Sequence, residues 1–359
     1  MHLMNAFAGG SGPGLMALDI SSTRIKLLAL SGGPASFQID SYASEALPAG
    51  AVQDHRIVDP ELLGQCIRRV VKRSGCRRKQ AAVAVAGASV ISKVIELPAT
   101  LRESEIEDQI EDEADAYIPY PVNEVSLDFQ QLGPAESDAD MQQVLLAACR
   151  RETVEDRVAA AALAGIDVQV VDVEAYALQN ACALLLAQLP GGGRQQTVAV
   201  ADVGASATAL HVLHDGETVY TREQGFGGNQ LIEEIQRHYQ LQSPQQALEQ
   251  LQGNRLDAAF TEGALPRFIA RIAQQVDRSL QYFFTQASQY PSIDTLFVAG
   301  GCALLAGMVD GIGRELEVDT RLANPLAGIR AAGAARRNRV EAEGPALMVA
   351  TGLAMRSGS

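Results

Sequence analysis

Apolar positions near the start of the chain fall in short blocks with a two-residue rhythm, broken by tight polar turns. Residues 15–20 form an apolar run that includes Asp19 and gives way to Ser21-Ser22-Thr23. A second run covers 25–30, Ser31-Gly32-Gly33 makes another turn, and a third alternating segment covers 36–42. Such blocks, bounded by small polar residues, predict strands joined by hairpins. The same succession recurs from Thr197: a run over 198–203 containing Asp202, the turn Gly204-Ala205-Ser206, a run over 208–213, the hairpin signal Asp215-Gly216, and a segment over 218–222. The chain thus carries two copies of strand, acid with small-residue turn, strand, tight turn, strand.

Each copy continues into alternating helices and strands. In the first, the patterning predicts a helix over 60–74, strands over 81–86 and 168–173, and a helix from Ala175. In the second, Gly227-Gly228 precedes a helix to Tyr239. Ser243-Pro244-Gln245-Gln246 reads as a helix start, with a capping serine and proline at the first position. A long helix over 266–287, a strand over 295–299 running into Gly300-Gly301, and a closing helix over 345–356 complete it. Between the two parts of the first copy lies an insert, 88–165, reading strand 90–97, helix 103–116, strands 125–132 and 143–149, helix 153–164. Thr100 and Glu103 have capping-box spacing before its first helix, and Ile106, Ile110 and Ala114 stack on one face. The remaining positions are dense with acid: Glu105, Glu107, Asp108, Glu111, Asp112, Glu113 and Asp115. A run of this kind is a solvated face or a docking surface for a basic partner.

Bulk properties narrow the classes. A chain of 359 residues exceeds one ordinary core, so two or more domains are expected. Apolar residues make up 47%, aromatics only 5%, and tryptophan is absent, which suits an α/β protein and argues against stacking platforms for nucleic acid. A formal charge of −14 repels polyanions at long range, so nucleic acid and anionic lipid are disfavoured as partners. Five cysteines, with no C-x-x-C pair, argue against a disulfide framework or a zinc site and fit a reducing compartment. Residues 1–14 carry no basic start and no long apolar stretch, so a flexible N-terminus rather than a signal peptide is expected. No apolar run reaches the roughly 18–20 residues that span a bilayer. The segment 175–189, interrupted by Gln179 and Asn180, reads as a buried helix.

The chemistry lies in the turns. Phosphates need convergent backbone N–H groups and a nearby cation, and a tight turn of small residues supplies the first. Ser21, Ser22 and Thr23 follow Asp19; Gly204, Ala205 and Ser206 follow Asp202, with Thr208 beyond. Two such turns could grip a phosphate chain, and an aspartate at each could hold Mg²⁺ through its waters. Gly300-Gly301, at a strand-to-helix junction, permits close approach to a flat or sugar-bearing ligand. Singly, each is weak evidence; in this order and spacing they form a specific signal.

That order resembles the actin/Hsp70/sugar-kinase superfamily. The segments LDISSTRIKLLAL, SKVIELP, EDEADAYIPYPVNEVSLDF, VDVEAYALQNA, ADVGASATALHVL, EQGFGGNQLIEEI, VAGGCALLAGM and PALMVATGLAMRS narrow it: together, over nearly the whole chain from Leu15, they resemble the PilM family of type IV pilus assembly proteins, which is similar to the cell-division protein FtsA. The resemblance implies an α/β, actin-like/ribonuclease H-like bilobal fold with an FtsA-type inserted subdomain. The subdomains would be 1A (15–87 and 166–196), 1C (88–165), 2A (197–226 and 288–359) and 2B (227–287). It implies ATP or ADP with Mg²⁺ between the lobes, and a cytoplasmic protein peripheral at the inner membrane, associated with it through partners only. The partner is the N-terminal tail of PilN, and other platform and motor proteins and self-association stay open. Carried over by position, Asp19, Ser21, Ser22, Thr23 and Lys26 match the first phosphate motif and Asp202, Gly204, Ala205 and Thr208 the second. Gly300 and Gly301 match the adenosine motif, while Gly227, Gly228 and Glu234 lie on the sugar and base side. Asp19, Glu174 and Asp202 are the candidates for catalysis, in what is at most a slow ATPase, and Asp19 and Asp202 for metal. Ser21 departs from the superfamily, which usually has glycine there, and Lys26 reads equally as a solvated strand lysine. The stiff segment Tyr117-Ile118-Pro119-Tyr120-Pro121 reads either as a ledge of the peptide groove between 1A and the insert or as packing of the insert. A small-molecule kinase is the enzyme alternative, although no polar acceptor motif stands in the first half. An FtsA-like division protein is a further alternative, and the absence of a linker and amphipathic helix after the last helix counts against it.

Overall fold

The computed structural model describes residues 14–356 except 35, 49, 54, 136, 137 and 332, so the expected flexible N-terminus falls, but for Gly14, outside the described residues, as does the side chain of Asp115. In chain order the strands are β1 (Met16–Ile20), β2 (Arg24–Ser31), β3 (Gln38–Ala46), the short pair β4 (Val52–Gln53) and β5 (Arg56–Ile57), β6 (Gln80–Val85), β7 (Val90–Pro98), β8 (Val125–Pro134), β9 (Met141–Arg150), β10 (Asp167–Val173), β11 (Thr197–Val203), β12 (Thr208–His214), β13 (Glu217–Gln224), β14 (Thr295–Ala299), β15 (Thr320–Leu322) and β16 (Arg330–Ala331). The α-helices are α1 (Pro60–Ser74), α2 (Glu103–Asp112), α3 (Ala114–Tyr117), α4 (Arg151–Leu163), α5 (Glu174–Leu186), α6 (Gly228–His238), α7 (Pro244–Gln252), α8 (Leu265–Gln286), α9 (Met308–Leu316), α10 (Ala334–Glu343) and α11 (Met348–Ala354). Two compact units result: unit 1 is Met1–Asn180, Ile329–Arg336 and Val349–Ser359, and unit 2 is Ala181–Gly328 and Arg337–Met348.

Unit 1 is built on a sheet of order β10-β6-β1-β2-β3-β16. β1, β2 and β3 are antiparallel hairpin neighbours; β6 joins β1, and β10 joins β6, in parallel. One face buries Leu18, Leu27, Val83 and Val171 against Leu63, Ile67 and Val70 of α1 and Ala160 and Ala161 of α4. Burying each of the larger apolar side chains contributes about 1.5–3 kcal/mol. α1 forms where its punctuation dictates: the Asp59 carboxylate accepts the Leu62 N–H at 2.8 Å, Pro60 opens the first turn, and Gly75, at φ 68°, closes it. β3 runs four residues beyond the expected segment, because pairing with β2 continues to Arg24↔Ala46.

The insert is an antiparallel sheet of order β7-β9-β8. Ile106 and Ile110 of α2 pack on Ile95, Leu97, Val144 and Leu146. Ala147 and Cys149, on the opposite face of β9, join the main core of unit 1. Two local expectations change here. The helix expected over 103–116 breaks at Glu113, whose carboxylate takes the Tyr117 hydroxyl at 2.7 Å, and α3 redirects Ala114 and Ile118 onto Val125 and Ala148. The helix starts at Glu103 as expected, but its cap is not the Thr100/Glu103 pair: the Glu105 carboxylate accepts the Arg102 N–H at 2.9 Å. The acidic side chains of α2 are largely exposed, and Glu105 pairs with the exposed Arg102.

Unit 2 repeats the plan in the order β13-β12-β11-β14-β15, with β11, β12 and β13 antiparallel and β14 and β15 added in parallel. Phe268, Ile272, Val276, Leu280 and Phe283 of α8 fill its core. The Ser243 hydroxyl caps α7 by accepting the Gln246 N–H at 3.3 Å. The closing helix is divided: a 3₁₀ turn, Gly344–Leu347, precedes α11, and the Pro345 carbonyl in that turn accepts the Gly300 N–H at 2.8 Å instead of continuing a helix. Two stretches that the sequence places in subdomain 2A, 329–336 and 349–359, cluster with unit 1, while 181–196 cluster with unit 2. β16 pairs with β3, and Arg356 forms a buried ion pair with Asp172 of β10.

Candidate functional site

Both units carry the same turn. In unit 1 the last β1–β2 pair is Ile20↔Ile25, and the Ser21 N–H closes the turn on the Arg24 carbonyl at 2.9 Å. In unit 2 the last β11–β12 pair is Val203↔Thr208, and the Gly204 N–H closes on the Ala207 carbonyl, also at 2.9 Å. Among the described residues, the amides of Ser22, Thr23, Ala205 and Ser206 donate to no protein acceptor. Successive free N–H groups in a tight turn form an anion-binding concavity. Ser21, standing where glycine is usual, turns its hydroxyl inward: it donates to the Arg24 carbonyl at 3.0 Å and accepts the Arg24 N–H at 3.2 Å.

Asp19 and Lys26 face each other in the β1–β2 register, and Lys26 Nζ donates to Asp19 Oδ2 at 2.9 Å. With side chains 5% and 12% exposed, the pair is buried, so Lys26 is not a solvated strand lysine. The corresponding pair in unit 2 is Asp202↔Ala209, which lacks the lysine. Glu174 opens α5, and its charge bears on Arg157, a nearly buried guanidinium that donates to the carbonyls of Ala84, Thr153 and His55. Burial pulls the Arg157 pKa down, and Glu174 is the largest opposing influence.

Unit 2 brings most of its expected residues together around glycines. The Gly228 N–H donates to the Gly204 carbonyl and the Asn229 N–H to the Ala205 carbonyl, at 2.9 and 2.8 Å. A Cβ at Gly227 would lie 2.6 Å from the Gly204 carbonyl oxygen, and one at Gly228 would lie 2.7 Å from Cys302 Sγ. Gly300, at φ 87° and ψ 172°, holds a backbone conformation that side chains disfavour, and a Cβ there would run into Asp202 Oδ1 and the Val203 carbonyl. Gly301 faces open space. Thr208 takes a different part: its buried hydroxyl donates to the Phe226 carbonyl at 2.7 Å and positions the loop that leads to Gly227. Glu234 lies further along α6, half-buried three residues after the core residue Leu231. Sequence reasoning passed over Cys302. Its thiol donates to the Gly204 carbonyl at 3.4 Å, and burial, with Asp202 nearby, pushes it up to about 12, so it stays a neutral packing group at the centre of these turns. The run Gly-Gly-Cys directly after a strand was the available signal.

In the insert, Tyr117 and Ile118 are absorbed into the packing of the helices on the sheet, with Lys93 Nζ 4.9 Å above the Tyr117 ring. Pro119 and Pro121 are exposed, and the half-buried Tyr120 lies under Arg150, its guanidinium 4.6 Å from the ring centroid. The five residues therefore divide between core and surface.

Residues 17–358 match the family described as type IV pilus assembly protein PilM. The fold is similar to a chain of a PilM–PilN type IV pilus biogenesis complex, with 26% identity and a TM-score of 0.81 over 96% of this chain and 98% of that one. It is also similar to the ethanolamine utilization protein EutJ from Carboxydothermus hydrogenoformans, at 15% identity and a TM-score of 0.52 over 99% and 93%. MreB 5 of Spiroplasma citri, bound to AMPPNP, matches at 12% identity and a TM-score of 0.47 over 96% and 95%. The paired α/β sheets are those of the actin-like fold. With its match running almost from end to end, the chain belongs to the PilM family of type IV pilus assembly proteins.

Proposed function

We propose that this chain is an ATP- or ADP-binding actin-like scaffold of the type IV pilus assembly platform that docks the N-terminal cytoplasmic tail of a PilN partner. Family membership and the likeness to the PilM–PilN complex support the scaffold role, and they leave the small-molecule kinase and the FtsA-like readings without a matching observation. The observation that carries the nucleotide is the repeated four-residue turn with free amides, together with the glycine cradle of unit 2. The residues fit the group: side chains are missing where Gly227, Gly228 and Gly300 leave no room for one, and Gly301 opens to solvent. The amides of Ala205 and Ser206 would hold phosphate oxygens, Ser22 and Thr23 would supply the equivalent donors of unit 1, and Gly300-Gly301 would admit the adenosine. Asp19, which Lys26 approaches at 2.9 Å, and Asp202 would hold Mg²⁺ through its waters. In this reading the insert, 88–165, serves as subdomain 1C. The exposed Pro119 and Pro121, with the half-buried Tyr120 between them, form the peptide ledge, and the acidic face of α2 steers a tail that carries Arg or Lys.

Two outcomes follow. A ligand that binds only the folded protein stabilises it, by roughly 2.7 kcal/mol at a hundredfold excess over Kd. Melting with Mg-ATP should therefore rise by several degrees, and no shift at saturating nucleotide removes the nucleotide half of the reading. In fluorescence titrations with a labelled PilN tail peptide, Tyr120→Ala should weaken binding by about tenfold, the upper end of a typical interface truncation short of a hot spot. Equal affinity for the folded variant removes Tyr120 from the groove while leaving the scaffold role in place.

A further inference from the structure

Unit 1 carries a cationic face that neither the turns nor the peptide ledge uses. Within 68–79 lie Arg68, Arg69, Lys72, Arg73, Arg77 and Lys79, all exposed, in a chain whose net charge is −14. Leu63, Ile67 and Val70 turn α1 toward the core, so the four-residue spacings 68/72 and 69/73 set four cations in two outward rows. Arg77 and Lys79 continue the face beyond Gly75. Arg78, between them, is structural and donates to the carbonyls of Leu15 and Leu30 and to Asp40 at 2.7–2.8 Å.

Counter-charge is scarce there. Glu45 is shared by Arg69 and Arg73, at 2.5 and 3.4 Å, and Asp167 sits beside Lys79 through a backbone bond at 2.8 Å. Lys72, Arg77 and Lys79 form no ion pair among the described residues. An apolar group interrupts the charge: Leu163, at the end of α4, is 46% exposed. It reaches the face because Gly64 lets the helices touch, where a Cβ would lie 2.8 Å from Leu163 Cβ, and Arg68 donates to the Leu163 carbonyl.

We propose that this face rests on an anionic phospholipid surface. The cations spread over two helical rows and the adjoining loop, which matches a plane of phosphates, and their long stems and Leu163 give the apolar contact that an interfacial surface accepts. Clusters of four to eight Lys and Arg are the usual signature of binding to anionic lipid. The net charge disfavours such binding only at long range. At physiological salt the screening length is about 8 Å, so a surface touching this face feels the cluster and little of the remainder. The register also leaves the phosphate turn clear. β1 and β6 run parallel from Met16↔Ala81, so residues 77–79, which precede β6, lie at the end of the sheet opposite the 21–24 turn, which follows β1. The proposal does not depend on nucleotide binding.

Vesicle flotation of the full chain tests it, with phosphatidylcholine alone and with added phosphatidylglycerol, at low and high salt. The charge-reversal set Lys72→Glu, Arg77→Glu and Lys79→Glu is compared with Arg237→Glu, Arg278→Glu and Arg314→Glu, exposed positions of unit 2 that change the net charge equally. Melting curves establish that both sets fold. The wild type and the unit 2 set should float with the anionic vesicles and be released by salt, and the unit 1 set should partition on the order of 100-fold more weakly. Absence of flotation at low salt overturns the proposal, as does equal loss in both sets. Salt-sensitive self-association without lipid, lost in the unit 1 set and unaccompanied by flotation, also overturns it and assigns the face to the acidic α2 surface of a second copy.

Discussion

Replacing Arg356 by alanine should destabilise the protein by about 3–5 kcal/mol at neutral pH, because it strands a buried carboxylate. The Asp172 side chain is 0% exposed and that of Arg356 is 4% exposed, and Arg356 approaches Asp172 Oδ2 through Nε at 2.7 Å and through a terminal nitrogen at 2.5 Å. The other carboxylate oxygen accepts the Val173 N–H at 2.7 Å. Burial pushes the Asp172 pKa above its ordinary value, and Arg356 opposes that shift. Without Arg356 the opposition disappears and the pKa rises further. A carboxyl whose pKa is higher in the folded state binds its proton more tightly there, so stability falls as pH rises from the unfolded pKa through the folded one. The penalty in Arg356→Ala should therefore be larger at about pH 8 than at about pH 5, where folding can retain the proton. Denaturant unfolding of wild type and variant at both pH values checks this. A loss under about 1 kcal/mol that is independent of pH contradicts the assignment of the pair as a fastening between the end of the chain and β10.

Gly300→Ala should cost a comparable amount, about 3–5 kcal/mol, from two separate causes. Its φ of 87° with ψ 172° is strained for any residue with a side chain, and the new methyl meets the Asp202 carboxylate and the Val203 backbone, neither of which is the far end of a flexible chain. Gly301→Ala is the contrasting experiment. Its Cβ would meet nothing within 4 Å, so stability should change by less than about 1 kcal/mol. If adenosine lies against this backbone, the same methyl should abolish most of the Mg-ATP melting shift. Full retention of that shift in Gly301→Ala would place the ligand elsewhere.

Much of the architecture could be read locally. The two hairpin series, with an aspartate and a small-residue turn after the first strand, emerge in the structure as β1–β2–β3 and β11–β12–β13, since alternation and turn chemistry act over a few residues. α1 and α7 begin at their sequence signals for the same reason: a cap is a bond between positions three apart. What local patterns did not carry was the use of side chains already committed by the fold. Thr208 looks like a phosphate ligand in sequence but holds the Phe226 carbonyl. Lys26 could be solvated or binding and is instead paired across the hairpin to Asp19. The break at Glu113 follows from the demand of Ala114 and Ile118 for the lower part of the insert sheet, which the continuous apolar spacing of 106, 110 and 114 conceals.

The sequence by itself determined the two-copy α/β plan, the position of both small-residue turns and the glycines around them, because each depends on residues within a few positions of one another. Only the tertiary structure decided that two-residue β16 completes the sheet beside β3, that Arg356 neutralises Asp172, and that Cys302 packs against Gly204 and Gly228. Those pairings join segments far apart in the chain. Their free energy comes from burial and from satisfying desolvated charge, and neither leaves a periodic trace in the residues that take part.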